Sequence, residues 1–150
     1  MLRERIKTDT IAAMKGGQKE RTAALRLINA KIKDRDIELR TSAKPVEEEA
    51  TIIEVLQKMA KQRRESIEMF AAGGRADLEA QERLELAVIE EFLPTQLGEG
   101  ETRAAIEAIK GELGAAGLKD MGRVMAELKA RHGSELDMSK ASGLVKAALA

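Results

Sequence analysis

The chain has 150 residues, enough for one domain or two small ones. It contains no cysteine and a single histidine, which excludes disulfides, thiolate chemistry and a plausible zinc site. Its 26 basic residues balance 26 acidic ones, and a net charge of zero argues against a protein whose overall charge drives it onto nucleic acid.

The start of the chain predicts two amphipathic helices, in which aliphatic residues recur every three or four positions. The first is expected over residues 2–15 and ends at the glycine pair Gly16-Gly17. The second begins near Lys19, and its apolar stripe continues to Leu39.

Two further helices are predicted before the second proline of the chain, Pro94. Pro45 suits the first turn of the third helix because its missing N–H costs nothing there. Glu47–Glu49 follow it, where the helix dipole favours acids. The glycine pair Gly73-Gly74 ends this helix, and Asp77 is expected to cap the fourth.

A linker and three shorter helices are predicted in the rest of the chain. The linker is LPTQLGEGE, residues 93–101, which holds a proline and two glycines. One helix is expected from about Glu101 to Leu113. The next lies in GLKDMGRVMAELKARHG, residues 117–133, with Asp120 as its expected N-cap, and Asp137 caps the last.

The expected fold class is all-α, because no run of alternating β-branched residues predicts a strand. We expect an N-terminal bundle of about four helices over residues 1–94 and a small three-helix domain over residues 95–150. The smaller domain has few large side chains and would be only marginally stable alone. It is therefore expected to pack against the first domain or against a partner.

The charges are unevenly distributed along the chain. Residues 1–44 hold 12 basic and 6 acidic residues, residues 45–97 hold 6 and 12, and residues 98–150 hold 8 of each. The basic segment can face a polyanion or pair with the acidic segment inside the fold. Charge alone favours internal pairing or solvation, since charge runs on helices are usually solvated faces.

No group of residues in the sequence is typical of a catalytic site. His132 lies at a predicted helix end, where a histidine interacts favourably with the helix dipole. In a chain with 26 acidic residues, a pair of carboxylates does not by itself indicate a catalytic site. The glycines near residues 73 and 98 lack the phosphate-loop pattern. We therefore predict no self-contained active site, no cofactor, no metal and no evident small-molecule substrate.

The chain is expected to be cytoplasmic and not to bind or cross a membrane. No segment approaches eighteen consecutive apolar residues. The first residues include acids and lack the apolar run of a signal peptide. The lack of cysteine suits a reducing compartment.

Two groups of basic residues are candidates for contacts with a phosphate backbone. They are Lys119, Arg123, Lys129 and Arg131 in residues 117–133 and, more weakly, Lys31, Lys33 and Arg35 in the second helix. Lys119 and Arg123 are placed on the first turn of a predicted helix, where free N–H groups also attract anions. The chain has only two aromatic residues, Phe70 and Phe92, too few for a platform on which bases stack, so RNA would be read by its shape and backbone.

Arg63 requires a different interpretation. It falls in line with the apolar stripe of the third helix, and a half-buried arginine usually pairs with a carboxylate. We therefore interpret Arg63 as a structural anchor between helices rather than as a binding residue.

Four stretches together resemble the GatB/YqeY family: LRLINAKIKDRDIE (25–38), VLQKMAKQRRESIEMFAAGGRADL (55–78), EEFLPTQL (90–97) and LKDMGRVMAELKARHG (118–133). They occur in the family's order and spacing, and the resemblance covers essentially the whole chain. The family is similar to the C-terminal tail of the B subunit of glutamine-dependent tRNA amidotransferase, which amidates misacylated Glu-tRNA(Gln) or Asp-tRNA(Asn). The resemblance implies an all-helical fold of two parts. It also implies a tail that grips the tRNA body by shape, while the chemistry lies in other domains and subunits.

One stretch departs from the family pattern. The family often follows the DMG helix with a GRADG turn, whereas this chain reads ARHGSELDMSKASGLVKAAL. If the usual turn contacts RNA, that contact is not expected here. The last helix should still form, because Asp137 and the apolar spacing specify it.

The leading hypothesis is a non-catalytic helical module that binds tRNA or associates with tRNA amidotransferase or another tRNA-processing protein complex. One alternative is a protein–protein adaptor, suggested by the weak core of the last fifty residues. Another is a component of a carbon–nitrogen ligase with glutamine as amido-N-donor, active only with partner subunits.

Overall fold

The structure is a computed structural model that describes residues 1–42 and 46–150. Across these residues every regular element is helical, so the predicted all-α class is confirmed. Two compact units follow one another along the chain, Met1–Leu93 and Pro94–Ala150. No helix in the described part of the chain is both long and apolar enough to span a membrane.

The N-terminal unit contains α1 (Leu2–Lys15), α2 (Lys19–Leu39), α3 (Glu48–Ala72) and α4 (Ala76–Glu90). Both glycine pairs end helices as predicted. Gly17 and Gly74 have φ of 68° and 69°, the left-handed region that glycine adopts without a steric penalty. In each case the residue after the pair donates its N–H back into the last turn, Gln18 to Ala13 and Arg75 to Phe70.

The core of the N-terminal unit lies between these four helices. Its largest fully buried side chains are Phe92, Ile6, Leu25, Ile28, Ile52, Leu56 and Ile89. Each aliphatic side chain of this size contributes about 1.5–3 kcal/mol when it is fully removed from water. Arg5 covers the edge of this core, with its guanidinium carbon 4.9 Å from the centre of the Phe92 ring.

The starts of α3 and α4 differ in how well the sequence predicts them. The Glu47 carboxylate caps α3 by accepting the N–H groups of Glu49 (3.0 Å) and Ala50 (2.7 Å). Pro45, which is expected in this turn, lies outside the described residues. Asp77 does not cap α4. That helix begins at Ala76, because the Arg75 N–H closes the end of α3 and leaves no spacer between the helices.

The C-terminal unit contains α5 (Glu99–Leu113), α6 (Met121–His132) and α7 (Met138–Leu149), with short 3-10 turns at Leu118–Asp120 and Gly133–Glu135. Its core is aliphatic and includes Ile106, Ile109, Val124, Leu128, Leu136 and Val145. The Asp137 carboxylate accepts the Ser139 N–H at 2.9 Å, so its predicted role as the cap of the last helix is confirmed.

Candidate nucleic-acid interface

Arg63 is a structural anchor, as its place in the apolar stripe of α3 predicts. Its Nη1 lies 2.8 Å from Oε2 of Glu82 and 3.1 Å from Oε2 of Glu85, both on α4. The three side chains are 15–19% exposed. Arg63 Nε and Glu85 Oε2 are buried without a hydrogen-bond partner. The cluster joins α3 to α4 and leaves Arg63 unable to reach a ligand in solution.

The predicted C-terminal group of phosphate contacts is divided by the start of α6. Lys119 lies in the 3-10 turn Leu118–Asp120, and the α-helix begins only at Met121. Lys119 and Arg123 therefore do not share the first turn of one α-helix, contrary to the prediction. A 3-10 turn that follows the extended Gly117 takes the place of the first α-helical turn.

Asp120 holds this turn together instead of capping α6 with its side chain. Its carboxylate accepts the Ala116 N–H at 3.0 Å and a guanidinium N–H of Arg123 at 2.7 Å. These two donors, the Ala116 N–H first, hold the pKa of Asp120 below its usual value. Asp120 is therefore ionised at neutral pH, and it partly cancels the charge of Arg123.

Arg131 also has carboxylate partners. Its guanidinium donates to Glu112 on α5 and to Glu127 on α6, and both contacts raise its pKa. The same contact with Arg131 lowers the pKa of Glu112. Arg131 thus ties α5 to α6. Of the four predicted C-terminal contacts, the two lysines, Lys119 and Lys129, have no ion pair within the described residues.

The predicted N-terminal group does not form one surface. Lys31 and Arg35 line a groove of about 400 Å³ between α2 and α3, and Arg35 pairs there with Glu38 at 2.8 Å. Lys33 projects from a different face of α2, toward solvent. Residues two positions apart in a helix point about 200° apart, so neighbours in sequence separate in space.

Lys33 belongs instead to a row of cations that runs the length of α2. The row is Lys19, Arg26, Lys33 and Arg40, spaced seven residues apart and all exposed. Seven residues make nearly two turns, so the cations lie roughly 10 Å apart over about 31 Å. The positions between them on this face are Ala23, Ala30 and Ile37. We call this row the α2 stripe. Its seven-residue spacing is visible in the sequence, but the contiguous cluster at residues 31–35 obscures it.

The cations of the α2 stripe differ from the other arginines of the N-terminal unit, most of which form ion pairs with carboxylates. Arg3 bonds to Asp36 and Glu48, and Arg21 pairs with Glu91 at 2.6 Å. In the described ranges, by contrast, no cation of the stripe has a carboxylate within ion-pair distance. The side chain of Arg26 donates a hydrogen bond to a sulfur, with Nη2 3.7 Å from Sδ of Met14. Internal pairing therefore engages much of the basic charge of this unit, whereas the stripe makes no ion pair among the described residues. Its last member, Arg40, is near enough to Asp36 to help Arg3 lower the pKa of that carboxyl.

Comparison with known proteins places the chain in a family. The sequence profile described as "Yqey-like protein" matches residues 3–149, which include α2 and both units. The chain belongs to the Yqey-like family. This family is the one whose domain resembles the C-terminal part of GatB, so the predicted resemblance is confirmed.

Two relatives of this Yqey-like protein carry names that describe no molecular activity. A protein of Pyrenophora tritici-repentis, "Altered inheritance of mitochondria protein 41, mitochondrial", is 31% identical over 134 residues, which cover 85% of this chain and 71% of the relative. "Uncharacterized protein C22F3.15" of Schizosaccharomyces pombe is 29% identical over 89 residues, which cover 59% of this chain and 69% of the relative.

The next question is whether the described residues include a metal site or a catalytic histidine. No group of three or more His, Asp or Glu side chains among them could hold a metal ion. His132 lies at the end of α6 with its Nδ1 3.4 Å from Oε1 of Glu135. The geometry of this Yqey-like protein thus gives cations on helical surfaces, which can hold anions in place.

Proposed function

We propose that this protein is a non-catalytic module that binds RNA through the α2 stripe, with tRNA as the preferred class. The observation that carries the proposal is the row of four exposed cations, none of which has a carboxylate within ion-pair distance in the described ranges, in a chain of zero net charge. A phosphate backbone supplies the missing negative charges and releases its own counterions on binding. The preference for tRNA rests on the family's resemblance to the GatB tail.

The composition of the stripe suits a phosphate backbone. Arg26 and Arg40 can each donate two parallel hydrogen bonds to one phosphate, whereas Lys19 and Lys33 act as point charges. A surface with about four such contacts gives moderate affinity that falls steeply with salt. Because the whole chain is neutral, binding depends on this local charge and not on long-range attraction.

The C-terminal cations form a second, weaker part of the proposed interface. Lys119 and Lys129 are exposed and available. Arg123 is paired with the largely buried Asp120, whereas Arg131 and Glu112 form a pair at the surface. A surface pair of this kind contributes little to stability, so a phosphate can replace Glu112 at small cost. A role as a protein adaptor or a ligase component, and a cytoplasmic location, stay predictions.

Neutralising two stripe residues should weaken binding to tRNA and reduce its dependence on salt. We expect Arg26→Gln with Lys33→Gln to lower the slope of log K against log salt by about 1 for each cation removed from a phosphate. The measurement is fluorescence anisotropy with a labelled tRNA pool over a series of salt concentrations.

The matched control is Lys140→Gln with Lys146→Gln, two exposed lysines of α7, which removes the same charge elsewhere. This control should keep the wild-type slope. A folded wild-type protein that does not bind tRNA at low salt would refute the function, and equal slopes for the two double variants would remove the stripe from the interface.

A further inference from the structure

The α2 stripe is one half of a wider surface on the outside of the α1–α2 hairpin. The two helices are joined along their length by hydrogen bonds from Arg3 to Asp36 (2.9 and 3.0 Å) and from Asn29 to Thr10 (3.0 Å). These residues form a seam between the outward faces of α1 and α2. The contact from Arg26 to Met14 crosses that seam, so the two outward faces are continuous.

Aliphatic side chains are exposed on this surface beside the cations. Ile11 and Met14 of α1 are 45% and 50% exposed, and Ile37 of α2 is 48% exposed. The exposed Lys7 lies one turn before Ile11 on α1. We call the α2 stripe together with Lys7, Ile11, Met14 and Ile37 the hairpin face. Single exposed aliphatic side chains are common on protein surfaces, but three beside one row of cations offer a second kind of contact that a purely electrostatic phosphate site does not use.

The acidic residues of α2 do not lie on the hairpin face. Asp34 and Glu38 line the groove toward α3, and Glu20 borders a cleft toward α4 that Lys19, at the end of the stripe, also lines. Asp36 lies at the seam, but Arg3 holds it in a two-point ion pair that lowers its pKa. The face therefore presents mainly cations and aliphatic groups. Two carboxylates border it, Asp36, which Arg3 holds, and the exposed Glu4, which lies seven residues before Ile11 on α1.

The hairpin face lacks the features that bind single-stranded RNA. Such sites combine a groove that follows the backbone with aromatic rings on which bases stack. The two phenylalanines of the chain lie elsewhere, Phe92 buried in the core and Phe70 half-buried on α3. Two helical cylinders packed side by side give a convex surface, and a convex surface suits a shallow, wide groove.

We propose that the hairpin face binds the double-helical stem of an RNA across its minor groove. The A-form minor groove is wide and shallow and exposes ribose, so cations can meet phosphates on its edges while Ile11 and Ile37 contact sugars. The B-form minor groove of DNA is only about 6 Å wide, narrower than a helix of about 10–12 Å. This inference rests on the proposed function and adds which structural element of RNA is bound.

The test separates the aliphatic contact from the charge contact. Wild-type protein and the double variant Ile11→Ser, Ile37→Ser are titrated with a hairpin RNA, an unstructured RNA of equal length and a DNA duplex of the same sequence. Wild type should prefer the hairpin RNA. The double variant should bind it about three- to tenfold more weakly with an unchanged salt slope, because it loses apolar burial and no charge. Both sites are exposed, and circular dichroism checks that the variant is folded.

The control variant is Met69→Ser, which removes a 74% exposed side chain on α3 and should keep wild-type affinity. No binding of wild type to either RNA would refute the proposed function itself. Equal affinity for unstructured and hairpin RNA, or equal affinity of the isoleucine and Met69 variants, would refute the stem proposal alone. Phosphatidylserine vesicles form a fourth arm. Vesicle binding that requires Ile11 and Ile37, with RNA affinity unchanged, would assign the face to a membrane and overturn the stem proposal.

Discussion

Replacing Arg63 with methionine should lower the free energy of unfolding by about 3–5 kcal/mol. The guanidinium is the cation between Glu82 and Glu85, whose side chains are only 15% and 18% exposed. Without it, two carboxylates remain close together in a largely dehydrated site. The measurement is urea unfolding followed by far-ultraviolet circular dichroism, because the chain has no tryptophan or tyrosine.

A triple variant distinguishes loss of the charge partner from loss of packing. Arg63→Met combined with Glu82→Gln and Glu85→Gln removes the stranded charges together with their cation. Replacement of a complete ion cluster is often neutral or stabilising, so the triple variant should recover most of the lost stability. If the single variant costs less than about 1 kcal/mol, or the triple variant is no more stable than the single, the cluster is not the anchor of α3 and α4.

Leu128→Ala should strongly destabilise the C-terminal unit while the N-terminal unit keeps its stability. Leu128 on α6 is fully buried in a core made of aliphatic side chains alone. A buried leucine replaced by alanine costs about 2–5 kcal/mol. A unit as small as residues 94–150 has a total stability of only about 3–9 kcal/mol by the usual value per residue. One substitution thus removes a large part of it.

Hydrogen exchange measured by mass spectrometry tests this effect in each unit separately. Peptides from α5, α6 and α7 should lose protection in Leu128→Ala, while peptides from α2 and α3 keep theirs. Leu118→Ala is the matched control, because the same side chain is 50% exposed there and should cost about 0.5 kcal/mol or less. Equal exchange in the two variants would contradict the view that Leu128 is central to this core.

The helices that the sequence predicts well are those whose ends depend on local signals. The bounds of α1 and α2 agree with the prediction, because a periodic apolar stripe and a glycine pair act within a few residues. The prediction that Asp77 caps α4 is wrong, because the helix begins at Ala76 and Arg75 occupies the N-cap position. Asp120 is the N-cap residue of α6 as predicted, but its carboxylate accepts the Ala116 N–H behind it and no N–H of the helix.

The candidate site is harder to predict, because availability of a cation depends on partners that are distant in sequence. Glu112, which pairs with Arg131, lies on a different helix, and only the packing of α5 on α6 brings them together. The α2 stripe escapes prediction for a related reason. Its members are seven residues apart, so they form a surface only once the turn of the helix is taken into account.

Lysine footprinting in the presence of tRNA tests the central claim most directly. The folded protein is acetylated with and without saturating tRNA, and the modification of each lysine is quantified by mass spectrometry. Our account predicts that Lys19 and Lys33 of the α2 stripe become protected, while Lys140 and Lys146 of α7 are modified equally in both samples. Protection of Lys119 and Lys129 with Lys19 and Lys33 unchanged would contradict it and place the RNA on the C-terminal unit instead.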